Sequence, residues 1–374
     1  MKIALVVAGG ADPSGVEDTV PCLLWLIERL VRAGDTVHVF CLNHGTRPGP
    51  WLLAGATVHN AMGTRFVLRL FSQILAEHRR APFDVVHTAW SIRANLVAIA
   101  AGKLLGAPVL LFFGTGELAA LPDIGRFGRQ LSFRGRLGFK LAVAGADRVA
   151  VQSGYLVELA RRLGLPTTRM PLGVALDRWP QMDPRRRMAG APARLLHVGH
   201  ITPVKDHGLL LDAMAGLHAM GLDFELDVVG IDVAGDGRIA RRAGELGLAD
   251  RIRFHGFLHH QAMRPLFEKA DLLIMTSRYE AGPLVVLEAA VAGVPVVGTN
   301  VGHLTEWAPM AARVVEPRDG AGLAAIIAEV LADDDLRMRL AIEAQSRALA
   351  ENADVTTEQF RKLYQDMATI SARA

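Results

Sequence analysis

Glu280 and Glu288 stand with seven residues between them in Ser277-Arg278-Tyr279-Glu280-Ala281-Gly282-Pro283-Leu284-Val285-Val286-Leu287-Glu288. The segment follows a short apolar run and turns into a Leu/Val/Ala helix, and between Ala281 and Thr305 the only formally charged residue is Glu288. A lone carboxylate in such a helix costs several kcal/mol to bury, on the order of the penalty for any unpaired buried charge, so it asks for a hydrogen-bonding partner. A pair of ligand hydroxyls would serve. Pro283 suits the first helical position, and Gly282 lets the backbone pass close to a bound group. The amides of Leu284 and Val285 would then form a helix N-terminus suited to a diphosphate. The competing possibility is that Glu288 caps or pairs with a buried Arg and Glu280 is a solvated loop residue.

These residues need a scaffold. Apolar runs of five to seven residues alternate with helical patterns, the mark of βα units around buried parallel sheets. Strands are expected at 2–8, 36–41, 84–88, 108–112 and 148–152, and a second set at 194–199, 224–230, 252–255, 271–275 and 295–298, with helices at 17–33 and 92–105. Residues 177–192, punctuated by Pro and Arg, read as a linker, and from 321 onward the chain reads as helical. The expected α/β architecture is two Rossmann-like domains facing across a cleft. They are an N-terminal domain 1–176, a linker 177–192 and a C-terminal domain 193–352, with a terminal helix at 353–374 that can pack back on the first.

The 374 residues are 51% hydrophobic and 21% charged, enough for two cores and too apolar for a disordered chain. A formal charge of +3 is no footprint for a nucleic-acid binder. Cys22 and Cys41, the two cysteines, offer neither a disulfide framework nor a Cys-based metal site, which fits a reducing cytoplasm. The apolar run 3–8 is too short for a signal-peptide core, and Gly, Pro or Arg interrupts every longer candidate for a membrane span.

A second pattern accompanies the two glutamates. Leu195-Leu196-His197-Val198-Gly199-His200-Ile201-Thr202-Pro203-Val204-Lys205-Asp206-His207-Gly208 resembles the "VGRLxxxKG" segment of the retaining glycosyltransferases of family 4, and Glu280/Glu288 resemble their E-x7-E motif. The resemblance extends through Gly230, the Phe254-His255-Gly256-Phe257 turn and Ala270-Asp271. In the N-terminal half its clearest echo is Asp84-Val85-Val86-His87. It implies a GT-B fold and transfer of a sugar from a nucleotide-sugar donor to an acceptor hydroxyl, in cell-surface glycan or glycolipid synthesis. Glu280 would contact the donor sugar, Glu288 the ribose diol, and Lys205 the leaving diphosphate. Gly199, His200, Gly230 and Phe257 fall in the matched donor segments.

Two positions depart from that pattern. His200 stands where the family has Arg, and Phe113 where it has a His in the N-terminal domain. Glu117, in the Gly-flanked loop Gly114-Thr115-Gly116-Glu117, is then the nearest candidate for a catalytic polar group, a surface-loop carboxylate being the alternative. Gly10, Ser14 and Gly15, after the first strand, are phosphate-loop candidates, although the loop is neither G-x-G-x-x-G nor a Walker sequence. No metal or other cofactor is expected, because Asp333-Asp334-Asp335 reads as a helix cap and His255, His259 and His260 as turn and cap residues. Residues 126–140 carry five cations, three Phe and no acid. They fit either a basic surface touching an anionic membrane or lipid-linked acceptor, or a solvated helix whose apolar residues face the core. A cytoplasmic protein, peripheral on the inner membrane face, is the matching location. An epimerase or a non-catalytic nucleotide-sugar binding protein on the same fold is the alternative function.

Overall fold

A computed structural model describes residues 1–371 apart from 18, 43–44, 46–47, 189 and 232–236. The chain forms two units, Met1–Gly173 with Asn352–Ala374, and Val174–Glu351.

The first unit is built on eight strands: β1 Lys2–Val7, β2 Thr36–Leu42, β3 Trp51–Leu53, β4 Ala56–Ala61, β5 Val85–Ala89, β6 Val109–Phe113, β7 Arg148–Val151 and β8 Thr168–Arg169. Their order is β3-β4-β2-β1-β5-β6-β7-β8, and every pairing is parallel except β3 with β4. Burial on both faces explains why β6 and, after Lys2, β1 are continuous apolar runs. The helix Ala353–Ser371 closes this unit through specific contacts. His87 Nδ1 lies 2.7 Å from the Tyr364 hydroxyl, Arg29 pairs with Asp354 at 2.8 Å, and Arg361 pairs with Asp35 at 2.9 Å.

The second unit has six parallel strands: β9 Ala193–Val198, β10 Phe224–Val229, β11 Ile252–Gly256, β12 Leu272–Met275, β13 Val296–Thr299 and β14 Ala312–Val315, in the order β11-β10-β9-β12-β13-β14. A core of Leu195, Leu210, Met214, Phe224, Ile274 and Ile327 lies between sheet and helices. Residues 177–192 are not an isolated linker. Trp179 is buried with its Nε1 donating to Glu288 O at 2.9 Å, and Arg185 donates to Asp271 Oδ1 at 3.1 Å. The Pro and Arg that suggest a tether instead belong to a strap fastened on the second unit; its residue 189 lies outside the described residues.

Buried histidines make stability pH-dependent. Burial pushes His59 and His207 down to about 4 and His87 to about 3. Their folded values lie below the ordinary ~6.5, so the unfolded chain takes up protons first as pH falls. The melting temperature should therefore hold above pH ~6.5 and fall progressively from there toward the folded values. A melting temperature that stays flat between pH 7 and 5, followed by differential scanning fluorimetry, would contradict this.

Candidate functional site

In the second unit, β9 and β12 are hydrogen-bonded neighbours, with Leu272 opposite Leu195 and Leu273 opposite Leu196. From β9 the chain passes to β10 on one side, whereas β12 is followed by β13 on the other. The strand order thus reverses between them, and ligands in open α/β sheets bind outside the carboxyl ends of strands at such a point. Lys205 comes from the loop after β9 and Glu280 from the loop after β12.

These loops are stitched together. Thr276 Oγ1 donates to Lys205 O at 2.8 Å, Arg278 N to Val204 O at 2.7 Å, and Thr299 Oγ1 to Ser277 O at 2.6 Å. Glu280 Oε1 then accepts from both Lys205 Nζ and Ser277 Oγ at 2.6 Å. The ion pair is partly buried, with side chains 25% and 13% exposed, so cation and carboxylate hold each other in place while still reachable from solvent. Asp206, beside the lysine, adopts a left-handed φ of +47° and caps the helix His207–Ala219. Left-handed backbone at a non-glycine residue costs about 1–3 kcal/mol, and it persists where the surroundings fix it.

Close backbone approach shapes the floor of the site. A Cβ on Gly230 would sit 2.1 Å from Gly199 O, and one on Gly199 would sit 3.2 Å from Lys205 Cδ. Buried His207 donates from Nε2 to Gly199 O at 3.2 Å, and buried His197 from Nδ1 to Ile274 O at 2.9 Å. Burial drives both imidazoles to their neutral forms.

Pro283 is the residue before the helix rather than its first residue, with ψ +116°; the helix is Leu284–Val291. Leu284 and Val285 remain the first two residues of the helix. Val286 N bonds to Pro283 O, while the amides of Leu284 and Val285 have no acceptor among the described residues. Gly282 is partly exposed in the preceding turn. Gly302, which the sequence reading did not single out, carries φ +59°, and a Cβ there would lie 2.8 Å from both Glu280 Cβ and Pro283 Cδ. A glycine three residues beyond the end of an apolar strand was its only signal.

Glu288 is 2% exposed. Its partner is neither an arginine nor a cap: His260 Nε2 lies 2.5 Å from Glu288 Oε1, and the His260 ring packs on Trp179 at 4.8 Å. The sequence reading of His260 as a turn residue is therefore corrected. His255 likewise pairs with Asp227 at 2.6 Å. His200, where the family has Arg, is exposed, and its Nδ1 accepts the Ile231 amide at 2.8 Å. Phe257 is 53% exposed in the loop after β11, its ring against His259.

The remaining candidates lie in the first unit. Glu117 is no surface-loop carboxylate: it is 2% exposed, and burial raises its carboxyl above the usual range against the pull of the Thr115 amide and Arg129. Phe113 is fully buried and stacks on Phe139 at 5.3 Å, which excludes it from chemistry. The loop of Gly10, Ser14 and Gly15 is not arranged as a phosphate cradle. Ser14 N is taken by Asp12 Oδ1, Val16 N and Glu17 N by Ser14 Oγ, and Gly15 N by Asp12 O. The helix begins only at Pro21, not at 17. Gly10 is glycine because a Cβ would strike Val20 at 2.6 Å. Asp333 caps the helix Asp334–Ala350, Asp334 pairs with Arg337 at 2.7 Å and Asp335 with Arg186 at 2.6 Å.

Two parallel-sheet Rossmann-like units, the second with a cation, carboxylates and helix amides at its switch point, define a GT-B architecture. Residues 182–347 match the family described as glycosyl transferases group 1, and residues 19–173 match a glycosyl transferase 4-like domain. A D-inositol 3-phosphate glycosyltransferase from Geodermatophilus obscurus is 32% identical over 325 residues, 80% of this chain and 71% of the relative. A Mycobacterium tuberculosis glycogen synthase is 34% identical over 181 residues, 48% of this chain and 43% of the relative. Among solved structures, sucrose-phosphate synthase from Thermosynechococcus elongatus superposes with a TM-score of 0.83 at 22% identity, covering 99% of this chain and 100% of that one. Anabaena HepE, solved in complex with UDP-glucose, gives 0.73 at 19% identity over 98% and 100%. The chain belongs to the group 1 glycosyltransferases.

Proposed function

We propose that this glycosyltransferase takes a nucleoside-diphosphate sugar at the second unit's switch point and transfers the sugar to an acceptor hydroxyl with retention of anomeric configuration. The observation that carries the reading is that Lys205 pairs with Glu280 across the loops after β9 and β12, and that the helix following Glu280 starts with the Leu284 and Val285 amides, which have no acceptor among the described residues. As the bond from the anomeric carbon to the diphosphate breaks, negative charge grows on the leaving oxygen. Lys205 and the two amides are fixed to receive it, and preorganised charge of this kind is commonly the largest catalytic contribution. Glu280, held by Ser277 and Lys205, offers its carboxylate to the sugar hydroxyls, and Glu288 offers its own to the ribose diol. The acceptor oxygen bonds to the anomeric carbon and its proton passes to the departing diphosphate oxygen, so no enzyme nucleophile is needed.

The UDP-glucose complex of the structurally similar HepE supports a nucleotide-sugar donor. The epimerase and non-catalytic alternatives gain no support from the relatives, which carry glycosyltransferase and synthase names. The test is the product formed from an α-linked nucleotide sugar: an α-glycoside by its NMR coupling constant, formed equally well in EDTA, is expected. A β-glycoside would contradict retention, and loss of turnover in EDTA restored by Mg²⁺ would contradict a cofactor-free site.

No helix among the described residues is long and apolar enough to cross a membrane. Peripheral contact has better support. On the helix Phe133–Gly145, Phe133, Leu137 and Leu141 are 72%, 45% and 54% exposed along one face, beside exposed Arg134, Arg136 and Lys140. Such a face favours anionic lipid on the cytoplasmic side of a membrane. Co-sedimentation with phosphatidylglycerol vesicles that survives Phe133→Ser/Leu137→Ser would sink that idea.

A further inference from the structure

The first unit contains a cavity of about 440 Å³ lined by Trp90, Ser91, Thr115, Glu117, Arg126 and Arg129, among others. Three features give it chemical character. Glu117 Oε2 accepts the Thr115 amide at 2.8 Å, but Glu117 Oε1 is buried with no hydrogen-bond partner. An unsatisfied buried carboxyl oxygen is destabilising, so a ligand group that bonds to it recovers that penalty. The cavity also reaches the start of the helix Ile92–Leu105, where Ser91 caps Ala94 N and the amides of Ile92 and Arg93 have no acceptor among the described residues. Arg126 and Arg129, both cationic and exposed, also line it.

The walls are held in uncommon backbone. Trp90 and Arg126 have φ of +67° and +57°. A Cβ on Gly114 would lie 2.7 Å from Trp90 Nε1, and one on Gly116 would lie 2.8 Å from the Phe127 ring. Both glycines therefore let an aromatic ring close over the cavity.

We propose that this cavity binds a small hydroxylated anion, its anionic group on Arg126, Arg129 and the Ile92 and Arg93 amides and a hydroxyl on Glu117 Oε1. Two guanidiniums and a helix N-terminus recognise a phosphate or carboxylate. The carboxyl oxygen fits a hydroxyl, which can donate to the ionised form or accept from the protonated one. Burial, which favours the protonated form, keeps Glu117 compatible with an anion nearby. The inference rests on the glycosyltransferase reading in one respect, that this ligand is the acceptor or the head of it; the binding itself does not depend on the donor site.

Calorimetric titration of the full chain tests the cavity with sn-glycerol 3-phosphate, inorganic phosphate and glycerol as probes. The ester should bind at least about tenfold more tightly than inorganic phosphate, and glycerol should give no signal. Arg126→Ala/Arg129→Ala, at two exposed positions, should weaken both anions about tenfold or more. Glu117→Ala should abolish the preference for the ester over inorganic phosphate while leaving inorganic phosphate affinity in place. Equal affinity for ester and phosphate in the wild type, no binding of either, or affinities unchanged in the arginine variant would overturn the proposal. Vesicles of phosphatidylglycerol and phosphatidylcholine separate the sources. Arginine-dependent binding to phosphatidylglycerol alone identifies a lipid headgroup, and binding of the free ester without vesicle binding identifies a soluble one. UDP titrated into the same preparations reports on Lys205 and Glu288 alone, so loss of the donor reading and loss of this one are distinguishable.

Discussion

Lys205→Ala should lower turnover with a nucleotide sugar about a thousandfold, the scale expected when one preorganised group opposite a developing anion is removed. Among the described residues the lysine is the cation paired with Glu280, its ammonium held 2.6 Å from that carboxylate. Removing it takes away the charge that meets the leaving diphosphate and also loosens Glu280, which keeps its bond from the Ser277 hydroxyl. Lys205→Arg should recover part of the rate, because charge returns with a different reach. Both kcat and KM should be measured. A fall of less than tenfold in kcat/KM for the alanine variant would mean that the diphosphate is stabilised elsewhere.

The second large effect is expected at Glu288. Glu288→Gln should weaken nucleoside diphosphate binding by roughly 10- to 100-fold, since charge-assisted hydrogen bonds contribute about 1.5–3 kcal/mol and an amide matches two hydroxyl donors poorly. The change also replaces an acceptor facing His260 by a group that must present its carbonyl there, so the side chain loses freedom to serve both partners. Glu280→Gln should behave differently, leaving free nucleoside diphosphate almost unaffected and weakening only the nucleotide sugar. Titration of UDP and UDP-glucose into both variants separates the roles, and equal losses for the two ligands at position 280 would contradict a sugar contact.

The parts of the fold that were readable in the sequence are those buried on both faces. Strands such as β6 and β12, and β1 after Lys2, are unbroken apolar runs because both sides of a parallel sheet are covered. The unread strands are β3, β4, β8 and β14: β3 and β8 are only three and two residues long, β4 mixes Thr, His and Asn into its run, and β14 is half covered at a sheet edge. Lys205 and Glu280 were readable by type, but their ion pair joins positions 75 residues apart and depends on two strands being neighbours. The same holds for His260, 28 residues before Glu288 in sequence. Glu117 follows Gly114 and Gly116, a composition that signals an exposed loop, yet it is buried, and Trp90 and Phe127 pack against those glycines. The Gly10 to Gly15 loop misled in the opposite sense, because its polar side chains consume its own amides.

The central claim, a nucleotide-sugar donor held by Lys205 and Glu288 in the second unit, is tested most directly by thermal shift against a panel of nucleoside diphosphates and nucleotide sugars. A ligand at about a hundred times its dissociation constant stabilises the folded state by about 2.7 kcal/mol, which reads as several degrees. At least one nucleotide sugar should raise the melting temperature of the wild type by that amount and leave Lys205→Ala/Glu288→Gln unmoved. No shift with any member of the panel, or the same shift in the double variant, would contradict the donor site.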